Sequence, residues 1–209
     1  MCRKTAINFQ QVTIYMNKLE AIIEEIKKLE KQLVLEIEKK EEEFFYKIKG
    51  KKVYFDPKIK RYQKTLATRI YPYIVNTSLL NLLTAPIIWF CLLPALFMDV
   101  VVSVYQFICF RVCGIPEVKR SEYMVMDRHS LSYLNPIEKV NCVYCGYYNG
   151  LIAYVQEIAA RTEQFWCPIK HARKRAGFHK RYHKIFDYGD HQAYKQKLEQ
   201  LRRNFSDLV

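Results

Sequence analysis

The sequence predicts a mainly α-helical protein with a long coiled-coil-like N-terminal helix, a hydrophobic membrane hairpin and a small helical module stapled by a metal ion. Three observations predict this class: apolar residues at heptad spacing near the N-terminus, a long run almost free of charge, and three cysteines with one histidine in two close pairs. The predicted segments are the helix 1–50, a basic aromatic juxtamembrane segment 51–76, the hairpin 77–113, the metal module 114–175 and a basic tail with a short helix 176–209.

The chain is strongly basic, with a net charge of +13 over 209 residues, and half of its residues are hydrophobic. Nearly all of the excess positive charge lies after residue 50, which indicates an anionic partner, either lipid head groups or nucleic acid. Residues Met1 to Lys4 are followed by no apolar segment of the signal-peptide kind. The seven cysteines are therefore expected to be thiols that face a reducing compartment.

Residues 10–49 are predicted to form one amphipathic helix. Its apolar residues alternate between steps of three and four, as in the seam of a coiled coil. The seam consists of Val12, Tyr15, Leu19, Ile22, Ile26, Leu29 and Leu33. We expect this helix to associate with a second copy or with a partner helix; a helical hairpin within the chain, or a solvated arm, is the alternative.

The run from Ile70 to Phe110 contains a single charged residue, Asp99. It is longer than the roughly twenty residues that one membrane crossing needs. Pro94 lies near its middle, and basic residues flank both of its ends. These features predict a hairpin broken at Pro94, either re-entrant or of two tight spans, with both termini on the cytoplasmic side of the inner membrane. The alternative is a buried core helix of a soluble protein.

A narrow polar stripe crosses the second half of this run. Asp99, Ser103 and Gln106 are separated by four and three residues, so they share one face of a helix. A carboxylate at membrane depth is costly and suggests a function, such as binding a proton or a cation. Asp99 is alternatively expected to pair with a polar residue such as Asn81, or to lie at the membrane interface without a special role.

The metal prediction depends on Cys142 and Cys145, a C-x2-C pair, and on Cys167 and His171. Three thiolates and an imidazole form the ligand set of a closed tetrahedral zinc site. A helix over residues 148–165 would carry the chain between the pairs, and a helix starting at Pro168 would orient His171. The alternatives are a four-thiolate site with Cys113 as fourth ligand, iron or an iron–sulfur cluster, a reversible dithiol, and simple burial of the cysteines.

A cluster of basic residues follows the second ligand pair. It is expected to bind anionic lipid, since no nucleic-acid motif accompanies it. The predicted lipid patch consists of Lys170, Arg173, Lys174, Arg175, Lys180, Arg181 and Lys184.

Four stretches together resemble a family of uncharacterised bacterial membrane proteins. They are DVVVSVYQFICF from Asp99, GIPEVKRSEY from Gly114, DRHSLSYLNPIEKVNCVYC from Asp127 and NGLIAYVQEIAARTEQFWCPIKHAR from Asn149. The family has no assigned activity, so the resemblance implies a bacterial membrane protein and adds no reaction. It also implies that the membrane hairpin and the cysteine block form one unit.

Together these features predict a membrane-anchored accessory or scaffold protein without enzymatic activity. It would hold a structural metal on the cytoplasmic face and bind anionic lipid and a helical partner. One alternative is a membrane-associated enzyme or redox protein that uses the cysteine-bound metal or Asp99. A second alternative is a nucleic-acid-binding protein, which would bind with a steep dependence on salt.

Overall fold

The computed structural model describes residues 9–50, 52–174 and 176–208, and leaves out the side chains of residues 9–20 and of Glu41. The described chain is mainly helical, as predicted, and divides into two units, Met1–Tyr62 and Gln63–Val209. The elements of the first unit are α1 (Phe9–Glu43), β1 (Tyr46–Lys49) and β2 (Lys52–Phe55), and α2 (Pro57–Thr65) carries the chain into the second. The α-helices of the second unit are α3 (Ile70–Val75), α4 (Leu79–Phe90), α5 (Leu92–Tyr105), α6 (Arg111–Cys113), α7 (Arg120–Tyr123), α8 (Pro136–Trp166) and α9 (His191–Arg203).

Helix α1 ends at Glu43, which corrects the prediction of a helix to residue 49. The chain turns at Phe45, whose φ is 55°, and enters an antiparallel hairpin in which Tyr46 pairs with Phe55. The rings of these two residues lie 5.7 Å apart, a cross-strand contact that stabilises the pairing. Gly50, with φ of 63°, supplies the left-handed conformation that the tight connection requires.

The described part of the α1 seam is exposed. The side chains of Ile22, Ile26, Leu29 and Leu33 lie on the surface, so the described residues form no helical hairpin that would cover them. The side chains of Val12, Tyr15 and Leu19 lie outside the described residues. Association of α1 with another helix therefore stays a prediction.

The apolar run forms one helix from Leu79 to Cys113, and the turn predicted at Pro94 is absent. The chain stays helical through Cys91, whose φ and ψ are −60° and −15° and whose carbonyl accepts the Ala95 amide at 3.4 Å. Pro94 is the third residue of α5, within the first turn, where its missing N–H costs little. The hairpin prediction is therefore corrected to a single helix, which is long and apolar enough to cross a membrane by length and composition alone.

Helix α8 begins at Pro136, twelve positions before the predicted start at Tyr148. Asn135 and Glu138 form a capping box: the Asn135 side chain accepts the Glu138 amide at 2.9 Å, and the Glu138 carboxylate accepts the Asn135 amide at 2.8 Å. Proline directly after the N-cap suits the first helical position. These residues fix the start of α8 before the first cysteine of the C-x2-C pair.

Gly150 is an interior residue of α8. The segment that links α7 to α8 crosses the helix at this point. A Cβ atom on Gly150 would lie 2.7 Å from the Tyr123 carbonyl oxygen and 2.9 Å from the Met124 Cα. One turn earlier, a Cβ on Gly146 would lie 3.1 Å from the Val125 carbonyl oxygen. The two glycines thus form a flat strip on which another backbone segment packs.

The core of the second unit lies between α5, α8 and the C-terminal segment. Phe110, Leu151, Ile158 and Phe205 are buried there together. After α8 the chain is extended, and Ile169 forms an isolated bridge with Phe186. The helix predicted to start at Pro168 is therefore wrong. The short helix predicted within the basic tail 176–209 is present as α9, and Asp190 caps it by accepting the Ala193 amide at 2.9 Å.

Candidate functional site

Asp99 is the buried carboxylate of the long apolar helix, and three side chains surround it. It accepts hydrogen bonds from Arg120 Nη2 at 2.5 Å, from the Tyr147 hydroxyl at 2.8 Å and from Ser103 Oγ at 3.4 Å. We call Asp99, Ser103, Arg120 and Tyr147 the Asp99 cluster. It joins α5 to α7 and α8.

The cluster neutralises the Asp99 charge within the protein. A buried carboxylate is tolerated when it is paired and hydrogen-bonded, and Arg120 supplies the pair. Burial, helped by the hydrogen bond to Asp99 and its negative charge, raises the pKa of Tyr147 to about 12. Tyr147 is therefore a neutral donor at physiological pH. The partners of Asp99 are thus Arg120 and Tyr147, and the predicted pairing with Asn81 is not formed.

Gln106 completes the polar stripe one turn further along. Its amide oxygen accepts the Val118 amide at 2.9 Å, and its amide nitrogen donates to the Val118 carbonyl at 3.2 Å and to the Tyr154 hydroxyl at 3.3 Å. A π-helical turn, Gln106–Phe110, begins at the same residue. Asp99, Ser103 and Gln106 therefore do share one face, as predicted, and this face holds the chain that follows the helix against α5 and α8.

The four predicted metal ligands are not brought together. Cys142 and Cys145 lie in the first half of α8, and Cys167 lies just after its last residue. At 1.5 Å per residue, the helix separates Cys145 from Cys167 by about 33 Å. Three ligands on one ion must lie within a few ångströms of each other, at about 2.3 Å from zinc for a thiolate. The arrangement therefore does not fit the predicted Cys₃His site, with zinc or with iron.

The described residues also contain no group of three His, Cys, Asp or Glu side chains that could hold a metal ion. Cys145 and Cys167 are exposed free thiols, and Cys142 is a half-buried one. His171 lies in the exposed loop that follows, where its backbone amide donates to the Tyr182 hydroxyl at 2.9 Å.

A second buried cluster, which we call the Glu157 cluster, lies at the other end of α8. Glu157 Oε1 accepts from Arg161 Nε at 2.9 Å and from Arg181 Nε at 3.1 Å. Arg181 also donates to Gln164 Oε1 at 2.9 Å and to Asp207 Oδ2 at 3.0 Å. Glu157 and Arg161 are four residues apart on α8, a spacing at which helical side chains meet. Arg181 lies far along the chain, and no local pattern links it to Glu157.

Burial of Arg181 changes the predicted lipid patch. Its side chain is only 3% exposed and is therefore not available to lipid. Lys170 and Lys184 are half-buried and form ion pairs with Asp187 and Asp207. The patch residues that remain exposed are Arg173, Lys174 and Lys180, and Arg175 lies outside the described residues.

His179 lies in the basic loop, and its Nε2 atom lies 2.6 Å from Glu163 Oε2, on α8. This contact fastens the basic loop to the end of α8. Burial and the nearby charge of Lys184 lower the pKa of His183, so its imidazole is neutral at pH 7.

Comparison with known proteins gave no match: no family model fits the chain, and neither a curated protein nor a solved structure is significantly similar to it.

Proposed function

We propose that this protein is a membrane-anchored accessory or scaffold protein, held at the bilayer by the apolar helix that begins at Leu79. One observation carries the proposal: α4 exposes large apolar side chains in every direction. Leu79, Leu80, Leu82 and Ile88 point to four sides of the helix, since successive residues are rotated by about 100°, and all four are exposed. A helix that is apolar all round is stable inside a protein core or in lipid, and the described chain does not cover this one.

The exposed basic loop supports an anionic lipid surface as the partner. Arg173, Lys174 and Lys180 lie on this loop, and each basic residue near such a surface contributes about 1 kcal/mol of attraction. Basic residues also flank the apolar helix, Arg69 before it and Arg111 within its last turn. Such flanks favour the cytoplasmic side. Location in a bacterial inner membrane stays a prediction, which depends on the resemblance described above.

The exposed seam of α1 supports recruitment of a helical partner or of a second copy. Its apolar residues recur at heptad spacing, and Lys–Glu pairs such as Lys27–Glu24, 3.0 Å apart, lie on its solvated surface. We assign no catalytic role to Asp99, because its carboxylate accepts from Arg120 and Tyr147 in the manner of a structural ion pair.

Flotation of the full-length protein with liposomes tests the anchor. Leu83 is an exposed residue of α4, and a charge in its place costs about 2.5–3.5 kcal/mol if the site lies in hydrocarbon. Leu83→Glu should therefore release the protein from liposomes, whereas the matched control Leu83→Ala should float with them. Equal flotation of the two variants would contradict membrane anchoring by this helix.

Two charge-matched triple variants test the lipid patch. In the first, glutamine replaces the exposed cations of the basic loop, Arg173, Lys174 and Lys180. In the control, it replaces the exposed cations of α9, Lys195, Lys197 and Arg203. We expect the first variant to lose more affinity for vesicles with anionic head groups than the control. Equal losses would mean that net charge, and not the loop, sets the affinity.

A further inference from the structure

We propose that the outer face of α5 lies along the membrane surface, so that the long helix rests in the plane of one leaflet and does not cross the bilayer. This inference depends on the proposed membrane anchoring and specifies its geometry. The face, which we call the outer stripe, consists of Leu93, Phe97, Val100 and Val104 of α5 and Phe107 and Ile108 of the π-helical turn that follows, all of them exposed.

The outer stripe lies opposite the face by which α5 packs on the rest of the protein. Ala95, Asp99 and Gln106 are buried toward α8 and its neighbours, and at about 100° per residue the stripe falls on the other side of the helix. In a helix on the surface of a soluble protein this outer side is polar. Here it is entirely apolar, so its surroundings must be apolar too.

The position of α7 argues against a helix that crosses the bilayer. The Arg120–Asp99 ion pair, at 2.5 Å, places α7 beside the middle of the apolar helix. The side chains of Lys119 and Glu122 at this level are 79% and 60% exposed. A crossing helix would bring them to membrane depth, at about 2.5–3.5 kcal/mol for a charge near the centre. With the helix in plane and the stripe facing lipid, α7 faces water.

Arg111 gives a second indication of the interface. Its guanidinium lies 3.9 Å from the centre of the Phe107 ring and donates to Glu117 at 2.8 Å, while much of the side chain remains exposed. An arginine that covers an apolar surface with its stem and keeps its charge at the edge is typical of the head-group region. The end of the stripe therefore lies at the level of the head groups.

The bilayer fits the stripe better than a second copy of the chain does. A dimer through the outer stripe would cover one face of α5, but it would leave the other sides of α4 in water. The apolar surface is continuous from α4 to the stripe, because both belong to the helix Leu79–Cys113. A leaflet that surrounds α4 and contacts the outer stripe of α5 covers both.

Spin-label depth measurements on the liposome-bound, full-length protein test the geometry. Labels at Val100, Val104 and Ile108, placed one at a time in a cysteine-free background, should report the same depth within a few ångströms. A label at Lys119 should report exposure to water, outside the bilayer. In a crossing helix, Val100 and Ile108 would differ in depth by about 12 Å, and that result would overturn the proposal.

If the cysteine-free background does not fold, two variants of the native sequence give a second test. We expect Val104→Glu to lower the liposome-bound fraction at least about tenfold, and Val104→Ala to change it little. Loss of flotation in Leu83→Glu but not in Val104→Glu would leave the anchor in place and refute the in-plane geometry. A smaller particle in detergent-free size exclusion for Val104→Glu, with unchanged flotation, would show that a second copy covers the stripe.

Discussion

Replacing Glu157 by glutamine should destabilise the second unit strongly. Glu157 Oε1 accepts from both Arg161 and Arg181, whose side chains are 7% and 3% exposed. Glutamine keeps the size of the side chain and one acceptor oxygen, so the substitution removes mainly the charge. Arg181 keeps Asp207 as a partner, whereas Arg161 keeps only neutral acceptors such as the Pro116 carbonyl at 2.8 Å.

Leaving a buried charge uncompensated costs about 3–5 kcal/mol, a large part of the roughly 5–15 kcal/mol that stabilises a typical domain. For a unit of about 150 residues, each kcal/mol lowers Tm by about 2–4 °C, so the expected decrease is about 6–20 °C. Thermal unfolding followed by far-UV circular dichroism, in the detergent that solubilises the native protein, measures it.

Glu199→Gln is the matched control for this experiment. Glu199 also accepts from an arginine, Arg202 Nη1 at 2.7 Å, but its side chain is 70% exposed. Exposed pairs contribute about 0–1 kcal/mol, so the control should shift Tm by only a few degrees. If Glu157→Gln and Glu199→Gln lowered Tm equally, the argument that burial makes the Glu157 cluster essential would be refuted.

Three further results are expected in the same unfolding assay. Gly150→Ala should destabilise the protein by about 1–3 kcal/mol, because the new Cβ would lie 2.7 Å from a backbone oxygen. The control Gly177→Ala should not, because there is open space around its Cβ. Equal effects of the two variants would contradict the close packing of the segment after α7 on Gly150. The raised pKa of Tyr147 stabilises the folded protein fully below pH 10, and this stabilisation is lost as the pH rises toward 12. The native protein should therefore have a higher Tm than Tyr147→Phe at lower pH, and the difference should shrink between pH 10 and 12. A difference that stays constant would argue against the contact with Asp99. Cys145→Ser and Cys167→Ser should each unfold within about 2 °C of the native protein with or without a chelator; a large decrease in Tm for both would revive the shared metal site.

The sequence predicted the helical class and the polar stripe of the long helix, because both depend on local periodicity. Spacings of four and three fix one helical face wherever the helix lies, so Asp99, Ser103 and Gln106 could be grouped correctly. The pair Glu157–Arg161 follows from the same rule. The partners of these residues could not be predicted: Arg120 is 21 residues from Asp99 and Arg181 is 24 from Glu157, and no local pattern links residues so far apart.

Two of the corrected predictions, the break at Pro94 and the metal site, failed for physical reasons. The sequence predicts a break at Pro94, but Pro94 is the third residue of α5, where its missing N–H costs little, and Pro86 likewise lies within α4 without ending it. The spacing of Cys142 and Cys145 suits a metal loop and also two neighbouring positions on a helix. The sequence does contain a signal for a helix start, Asn135-Pro136 followed by Glu138. This signal favours helical positions over a metal loop for Cys142 and Cys145.

The contacts of Arg181 also have a consequence for the order of events during synthesis. Asp207 leaves the ribosome 26 residues after Arg181, and Phe205, which packs in the core, emerges just before it. The long apolar helix is complete long before these groups exist. Translation therefore exposes the apolar helix while the second unit still lacks its last partners, so, if this helix is the proposed anchor, we expect capture by the membrane to precede completion of the fold.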